Sequence, residues 1–146
     1  MMEDGEVLGS NEYVLRLVHC TQIRPDGSLS RGAFTPTQHD TDGLSVYREL
    51  SQGGVTPEQL KFGARNPSNE YVVVRISVRD LEECFGLRVV TKEDADGLSG
   101  HCVIPEFNYA SYSDKAQKKN RWTNVQEGLC KLAKRIDFTA FGENQS

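Results

Sequence analysis

The sequence predicts an α+β fold: a mixed or mainly antiparallel sheet of about five strands with two or three helices, the longest of them C-terminal. Three observations predict it. Short segments rich in apolar side chains at period two recur at Tyr13–His19, Leu44–Arg48 and Tyr71–Ser77. Helix-start patterns occur at Thr56, Ser77 and Thr123, between or behind those segments. The regular strand–helix–strand rhythm that builds a parallel sheet is absent from the chain.

Each element has its own reason. In Tyr13–His19, Tyr13, Leu15 and Leu17 fall on one side and Val14, Arg16 and Val18 on the other. Both sides are largely apolar, which predicts a central strand. Pro25-Asp26-Gly27 is a turn, because proline fixes φ and glycine tolerates positive φ. The polar stretch Ser28 to Gly43, holding Phe34, Pro36 and His39, reads as a long loop, and loops of that length are usually functional or mobile. Leu44–Arg48 is a short strand, and Gly53-Gly54 interrupts the chain. Thr56-Pro57-Glu58-Gln59 starts a helix that ends before Pro67. Tyr71–Ser77 has a continuous apolar face of Val72, Val74 and Ile76. Ser77-x-x-Asp80 opens a short helix carrying Leu81, Cys84 and Phe85, closed by Gly86 as a left-handed cap. Leu87–Thr91 is a strand, Lys92–Ser99 a charged loop, and Gly100–Phe107 a strand bent or ended by Pro105. Thr123-x-x-Gln126 is a second capping box, and the helix behind it lines up Val125, Leu129, Leu132, Ala133 and Ile136.

A chain of 146 residues suits one domain, expected at 11–137, between a flexible acidic tail at 1–10 and a C-terminal tail at 138–146. With 37% apolar and 26% charged residues the composition is that of a folded chain, not a disordered one. Apolar runs are too short for a membrane span. The N-terminal stretch is acidic and lacks an apolar core, so no secretory signal is expected and the cytoplasm is the expected location. Cys20, Cys84, Cys102 and Cys130 form no C-x-x-C pair, and we read them as reduced and mostly buried. Charge is uneven: residues 1–106 carry a net −7 and residues 107–146 a net +3. That marks either an anion-binding end or one solvated helix face.

Four groupings are candidates for chemistry. Arg16, His19, Ser45, His101 and Glu106 are polar groups in or at the ends of apolar strands, where they need partners. A shared cleft would let the arginine bind an anion and Glu106 position a hydroxyl or act as a base. The alternative gives Arg16 a carboxylate partner at a sheet edge and leaves Glu106 exposed beyond the proline. His-Cys occurs twice, at His19-Cys20 and His101-Cys102, but adjacent strand residues point to opposite faces. No metal site is assigned on that ground; a Cys102–His19 nucleophile pair stands against inert buried thiols. Lys115, Lys118, Lys119 and Arg121, with Lys134 further on and Tyr109, Tyr112 and Trp122 nearby, suit a nucleic-acid backbone. The alternative is a solvated basic segment with Trp122 in the core. Finally, Ala33–Thr37 and Asp42–Val46 line either a pocket mouth or ordinary turns. No P-loop, G-x-G-x-x-G or G-x-S-x-G pattern occurs.

The Arg16/His19 strand, Ala33-Phe34-x-Pro36, Leu44-Ser45-Val46 and Gly100-His101-Cys102-Val103-Ile104-Pro105 resemble small uncharacterised bacterial proteins of similar length, a likeness over most of the chain that implies no particular activity. The chain also loosely resembles the ADP-ribosyltransferase fold. That resemblance implies roles around NAD for Arg16 or His19, Ser45 and Glu106, although Leu-Ser-Val replaces a hydroxyl-rich triplet and Glu106 lacks a Glu-x-Glu or Gln-x-Glu partner. The leading expectation is a binding or interaction protein of a bacterial cytoplasmic complex, in a defence or toxin–antitoxin setting, with a protein partner and no cofactor. An NAD-using transferase and a nucleic-acid binder are the alternatives.

Overall fold

Alternating apolar side chains make β1 (Tyr13–His19) buried on both faces, and it takes a central place in the sheet. The computed structural model describes residues 6–37, 40–49, 56–57, 60, 71–92, 100–114 and 121–136. Among these, β1, β2 (Leu44–Arg48), β3 (Tyr71–Ser77), β4 (Val90–Thr91), β5 (His101–Ile104) and β6 (Lys134–Arg135) form one sheet in the order β4-β5-β2-β1-β3-β6. Every pairing is antiparallel. The longest ladder joins β1 to β3, from Tyr13↔Ser77 to His19↔Tyr71. The helices are α1 (Val78–Phe85), α2 (Tyr109–Ser113) and α3 (Thr123–Leu132). The fold is α+β. Among the described residues no helix is long and apolar enough to cross a membrane.

Period-two alternation sorts the sheet into two faces. Val14, Val18, Leu44, Val46, Val74, Ile76, Cys102 and Ile104 share one buried cluster with Val78 and Leu81 of α1 and Val125 and Leu129 of α3. Leu15 and Val73 point the other way and pack with Leu60, beside Leu17, Tyr47 and Ile136. We call these the helix face and the open face, the latter covered in part by Leu60.

Several expected elements are shorter or different. Of Leu87–Thr91 only Val90–Thr91 is strand; Leu87 and Val89 are buried in the core instead. Pro105 ends β5, and the Phe107 N–H closes a turn on the Ile104 carbonyl. Helix α2 was not foreseen; Asn108 caps it by accepting from the Ser111 N–H at 2.8 Å. The expected capping box at Thr123 does not form, because Gln126 points into the core and donates to the Arg31 and Phe34 carbonyls and to Thr35 Oγ1. Helix α3 stops at Leu132, so Ile136 belongs to the open face and not to the helix stripe. Of the expected acidic tail, residues 6–8 lie along β4: Val7 bridges Val90, and Leu8, 2% exposed, fills the core. An apolar pair inside an acidic segment is enough to dock it. The C-terminal tail and most of the helix expected after Thr56 lie outside the described residues, although the Leu60 N–H to Thr56 carbonyl bond is helical. The four cysteines are free; Cys102 is buried and Cys130 half-buried, but Cys20 and Cys84 are exposed, Cys84 on α1 and Cys20 in a 3₁₀ turn.

Two glycines separate backbone strain from steric exclusion. Gly86 caps α1 at φ 66°, with open space where a Cβ would be. Gly43 sits at φ 134°, and a Cβ there would collide with the Ile104 carbonyl. Gly86→Ala should cost about 1 kcal/mol, and Gly43→Ala about 3 kcal/mol or more, read as the shift in urea midpoint.

Glu12 and Arg48 form a buried two-bond ion pair at 2.6 and 2.9 Å. Burial alone would raise the Glu12 carboxyl, but hydrogen bonds from Arg48 and the Gly9 N–H outweigh it and hold its pKa below 4.5. Folding therefore favours the ionised form, and this stabilisation is complete above 4.5 and lost as the pH falls through the lowered folded value. Glu12→Gln should cost about 2 kcal/mol at neutral pH. The gap to wild type should close on acidification below the ordinary carboxyl range, in denaturation curves taken across that range.

Candidate functional site

The register settles where each candidate side chain lies. Arg16 falls between Val14 and Val18 and so projects onto the helix face. Its Nε donates to the Ala33 carbonyl at 2.8 Å and its Nη1 to the Ser45 carbonyl at 2.7 Å. Burial lowers its pKa, partly offset by the nearby Asp40 and Tyr47. The guanidinium thus clamps the 3₁₀ turn Arg31–Phe34 to β2.

Ser45 projects onto the open face. It pairs with Val103, and Tyr47 pairs with His101, so Ser45 and His101 are diagonal neighbours across β2 and β5. Ser45 Oγ lies 2.6 Å from His101 Nε2. His101 Nδ1 lies 2.6 Å from the Lys92 carbonyl oxygen. A carbonyl only accepts, so Nδ1 carries the proton, and Nε2 accepts from the serine hydroxyl. The imidazole is 7% exposed and packs against the Tyr47 ring at 5.3 Å between centroids.

The other two members of the group have different surroundings. His19 caps the 3₁₀ turn Cys20–Gln22, with Nδ1 accepting from the Thr21 N–H at 3.2 Å, and meets Tyr71 edge-on at 5.0 Å. Glu106 accepts from Arg88, through Nε at 2.6 Å and the backbone N–H at 3.2 Å. The structure therefore bonds Ser45 to His101, joins Arg16 to Ser45 only through a backbone carbonyl, and places His19 and Glu106 with other partners. Cys102 faces the core and its thiol donates to the Gly100 carbonyl at 3.4 Å. Among the described residues no cluster of three His, Cys, Asp or Glu is placed to hold a metal ion.

Of the basic set, Lys115, Lys118 and Lys119 lie outside the described residues. Arg121 stacks on Trp122 at 4.5 Å, and Trp122 itself is buried, stacked on Phe107 at 4.6 Å. Lys134 is exposed in β6.

A second place was not foreseen. A cavity of about 360 Å³ opens between the turn at 24–31 and α3, lined by Arg24, Ser28, Leu29, Arg31, Glu127, Cys130 and Lys131. Pro25-Asp26-Gly27 does form the turn, with Asp26 accepting from the Ser28 N–H and hydroxyl; those bonds lower its pKa. Ile23 bridges Leu29, which makes a tight hairpin. Cys130 ties α3 to it, its thiol donating to the Ser30 carbonyl at 3.3 Å. Burial pushes the Cys130 thiol up, so it lines the wall as a neutral group. Sequence reading saw only turn chemistry here, because Cys130 and Ser30 are 100 residues apart. Comparison of the chain with protein-family models, curated proteins and solved structures finds no match.

Replacing Arg16 with lysine keeps the charge but not the two-pronged reach to Ala33 and Ser45. Arg16→Lys should lower stability by about 1–2 kcal/mol, and hydrogen exchange should quicken at residues of the 31–34 turn.

Proposed function

We propose that the protein is a binding module whose cavity between the 24–31 hairpin and α3 takes a small anionic ligand bearing a phosphate or carboxylate. The observation that carries this reading is the lining: three cations, Arg24, Arg31 and Lys131, stand against one carboxylate, Glu127, over an apolar floor at Leu29. Among the described residues those three cations make no side-chain salt bridge, while Asp26, in the same turn but outside the lining, attracts Arg24. Two guanidinium forks suit the planar, bidentate geometry of a phosphate or carboxylate. The volume is at the small end for ligand sites, so it suits a phosphoryl or carboxyl group with a compact organic part. Glu127 and the nearby C-terminal end of α3 oppose an anion. The charge of the ligand therefore faces the two arginines, and Glu127 suits a donor on its far side.

The wider role, a protein partner in a bacterial cytoplasmic complex of the defence or toxin–antitoxin kind, is proposed on the sequence reading alone. The transferase alternative draws on Arg16, His19, Ser45 and Glu106 together, and the bonds of Arg16 to the Ala33 and Ser45 carbonyls, of His19 to Thr21 and of Glu106 to Arg88 commit three of the four to separate partners. The binding reading is preferred for that reason.

The test is a two-dimensional amide NMR titration with inorganic phosphate and with a small phosphorylated alcohol. Amides of 24–31 and 127–131 should shift at low-millimolar ligand. The Arg24→Ala, Arg31→Ala double variant should bind at least about tenfold more weakly, a loss of about 1.4 kcal/mol, and added salt should weaken binding. Unmoved amides at those positions under saturating phosphate and phosphorylated alcohol would remove the reading.

A further inference from the structure

We propose that Ser45 is a histidine-activated nucleophile that accepts an acyl group from an activated ester. The site is separate from the anion cavity and does not depend on it.

The inference rests on three fitted contacts. Ser45 lies in β2 between the buried Leu44 and Val46, which fixes its backbone, while its own side chain is half-buried on the open face. His101 reaches it diagonally from β5, with Nε2 at 2.6 Å from Oγ. The Lys92 carbonyl holds the far ring nitrogen at 2.6 Å, and that carbonyl is itself held by the β4–β5 hairpin, where the Lys92 N–H bonds the His101 carbonyl at 2.9 Å. The basic lone pair of the imidazole is therefore aimed at the serine proton before any substrate arrives. Nucleophile, base and orienting group are all in place, each within hydrogen-bond reach of the next. Sequence motifs did not expose this, because the serine sits in a strand with Gly43 two residues before it but Tyr47, not a second glycine, two residues after.

In the step, Ser45 Oγ attacks the ester carbonyl carbon while its proton passes to His101 Nε2. The resulting tetrahedral adduct collapses, the bond to the leaving alkoxide breaks, and Nε2–H returns the proton to that oxygen. An alcohol departs and acyl-Ser45 remains, because the serine alkoxide is a poor leaving group for the return step. The orienting group is a neutral carbonyl where a carboxylate would stabilise the imidazolium more strongly. This narrows the substrate class to esters with good oxygen leaving groups, such as aryl esters, in which little help is needed at collapse.

The experiment exposes the full chain to p-nitrophenyl acetate and maps acetylated serines by peptide mass spectrometry. Ser28, exposed and bonded to Asp26, and Ser113, exposed at the end of α2, are internal controls in the same fold. Acetyl should accumulate on Ser45 far ahead of both. His101→Gln should slow acetylation of Ser45 at least about 100-fold, with circular dichroism unchanged. If that variant fails to fold, the wild-type ratio of Ser45 to Ser28 and Ser113 decides alone. Acetyl spread evenly over the three serines, or none on Ser45, overturns the proposal; so does a folded His101→Gln variant that reacts at the wild-type rate.

Discussion

Neighbouring residues on a strand point to opposite faces, and in this sheet that alternation, locked by the long β1–β3 ladder, decides which polar groups can meet. A one-residue slip would carry Arg16 to the open face and Leu15 and Leu17 to the helix face. The register instead puts Val14 and Val18 under the helices and Arg16 between them, where a charged group needs acceptors. It finds two, the carbonyls of Ala33 and Ser45. The same alternation sends the Ser45 side chain the other way, toward His101. Arg16 and Ser45 are thus joined through a backbone atom while their functional ends look to opposite sides of the sheet.

A second pattern follows from backbone accounting. The segment 30–35 runs across the helix face without a strand partner, so its buried carbonyls need donors from elsewhere. Side chains supply them: Cys130 to Ser30, Gln126 to Arg31 and Phe34, Arg16 to Ala33. Three long-range donors hold one short turn, and among the described residues no buried side-chain nitrogen or oxygen lacks a partner. This is how an irregular segment becomes rigid enough to form one wall of a cavity.

The strands were legible where a single interaction, burial, controlled the pattern. Tyr13–His19, Leu44–Arg48 and Tyr71–Ser77 have the bounds that alternation predicts. Local motifs failed where tertiary demand outbid them. Gln126 fits a capping box by spacing, yet the orphan carbonyls of 31–34 draw it inward. Ile136 fits the stripe of α3, yet β6 pairs with β3 and carries it to the open face. Polarity inside apolar strands placed Ser45 and His101 in one candidate group with Arg16, His19 and Glu106, without pairing the serine with the histidine. Their bond depends on the β2–β5 register, and the Lys92 carbonyl, being backbone, has no signature in sequence at all. The cavity was illegible for a related reason: its walls come from residues 24–31 and 127–131, and no local pattern links them.

The two places described above are physically connected. Arg31, in the cavity lining, opens the turn whose Ala33 carbonyl receives Arg16, and Arg16 in turn holds the carbonyl of Ser45. The linkage runs through hydrogen bonds to backbone, so it transmits position and not charge. That favours a guanidinium over an ammonium at residue 16, since a planar fork with separate donors can hold two carbonyls at a fixed angle and a single ammonium nitrogen cannot. It also explains why an arginine tolerates burial here without a direct carboxylate partner in its hydrogen bonding. Two short bonds to carbonyl dipoles, with Asp40 and Tyr47 nearby, supply part of the stabilisation that water would otherwise provide. An arginine that the sequence offered as an anion binder is, in the fold, a strut between the 31–34 turn and β2.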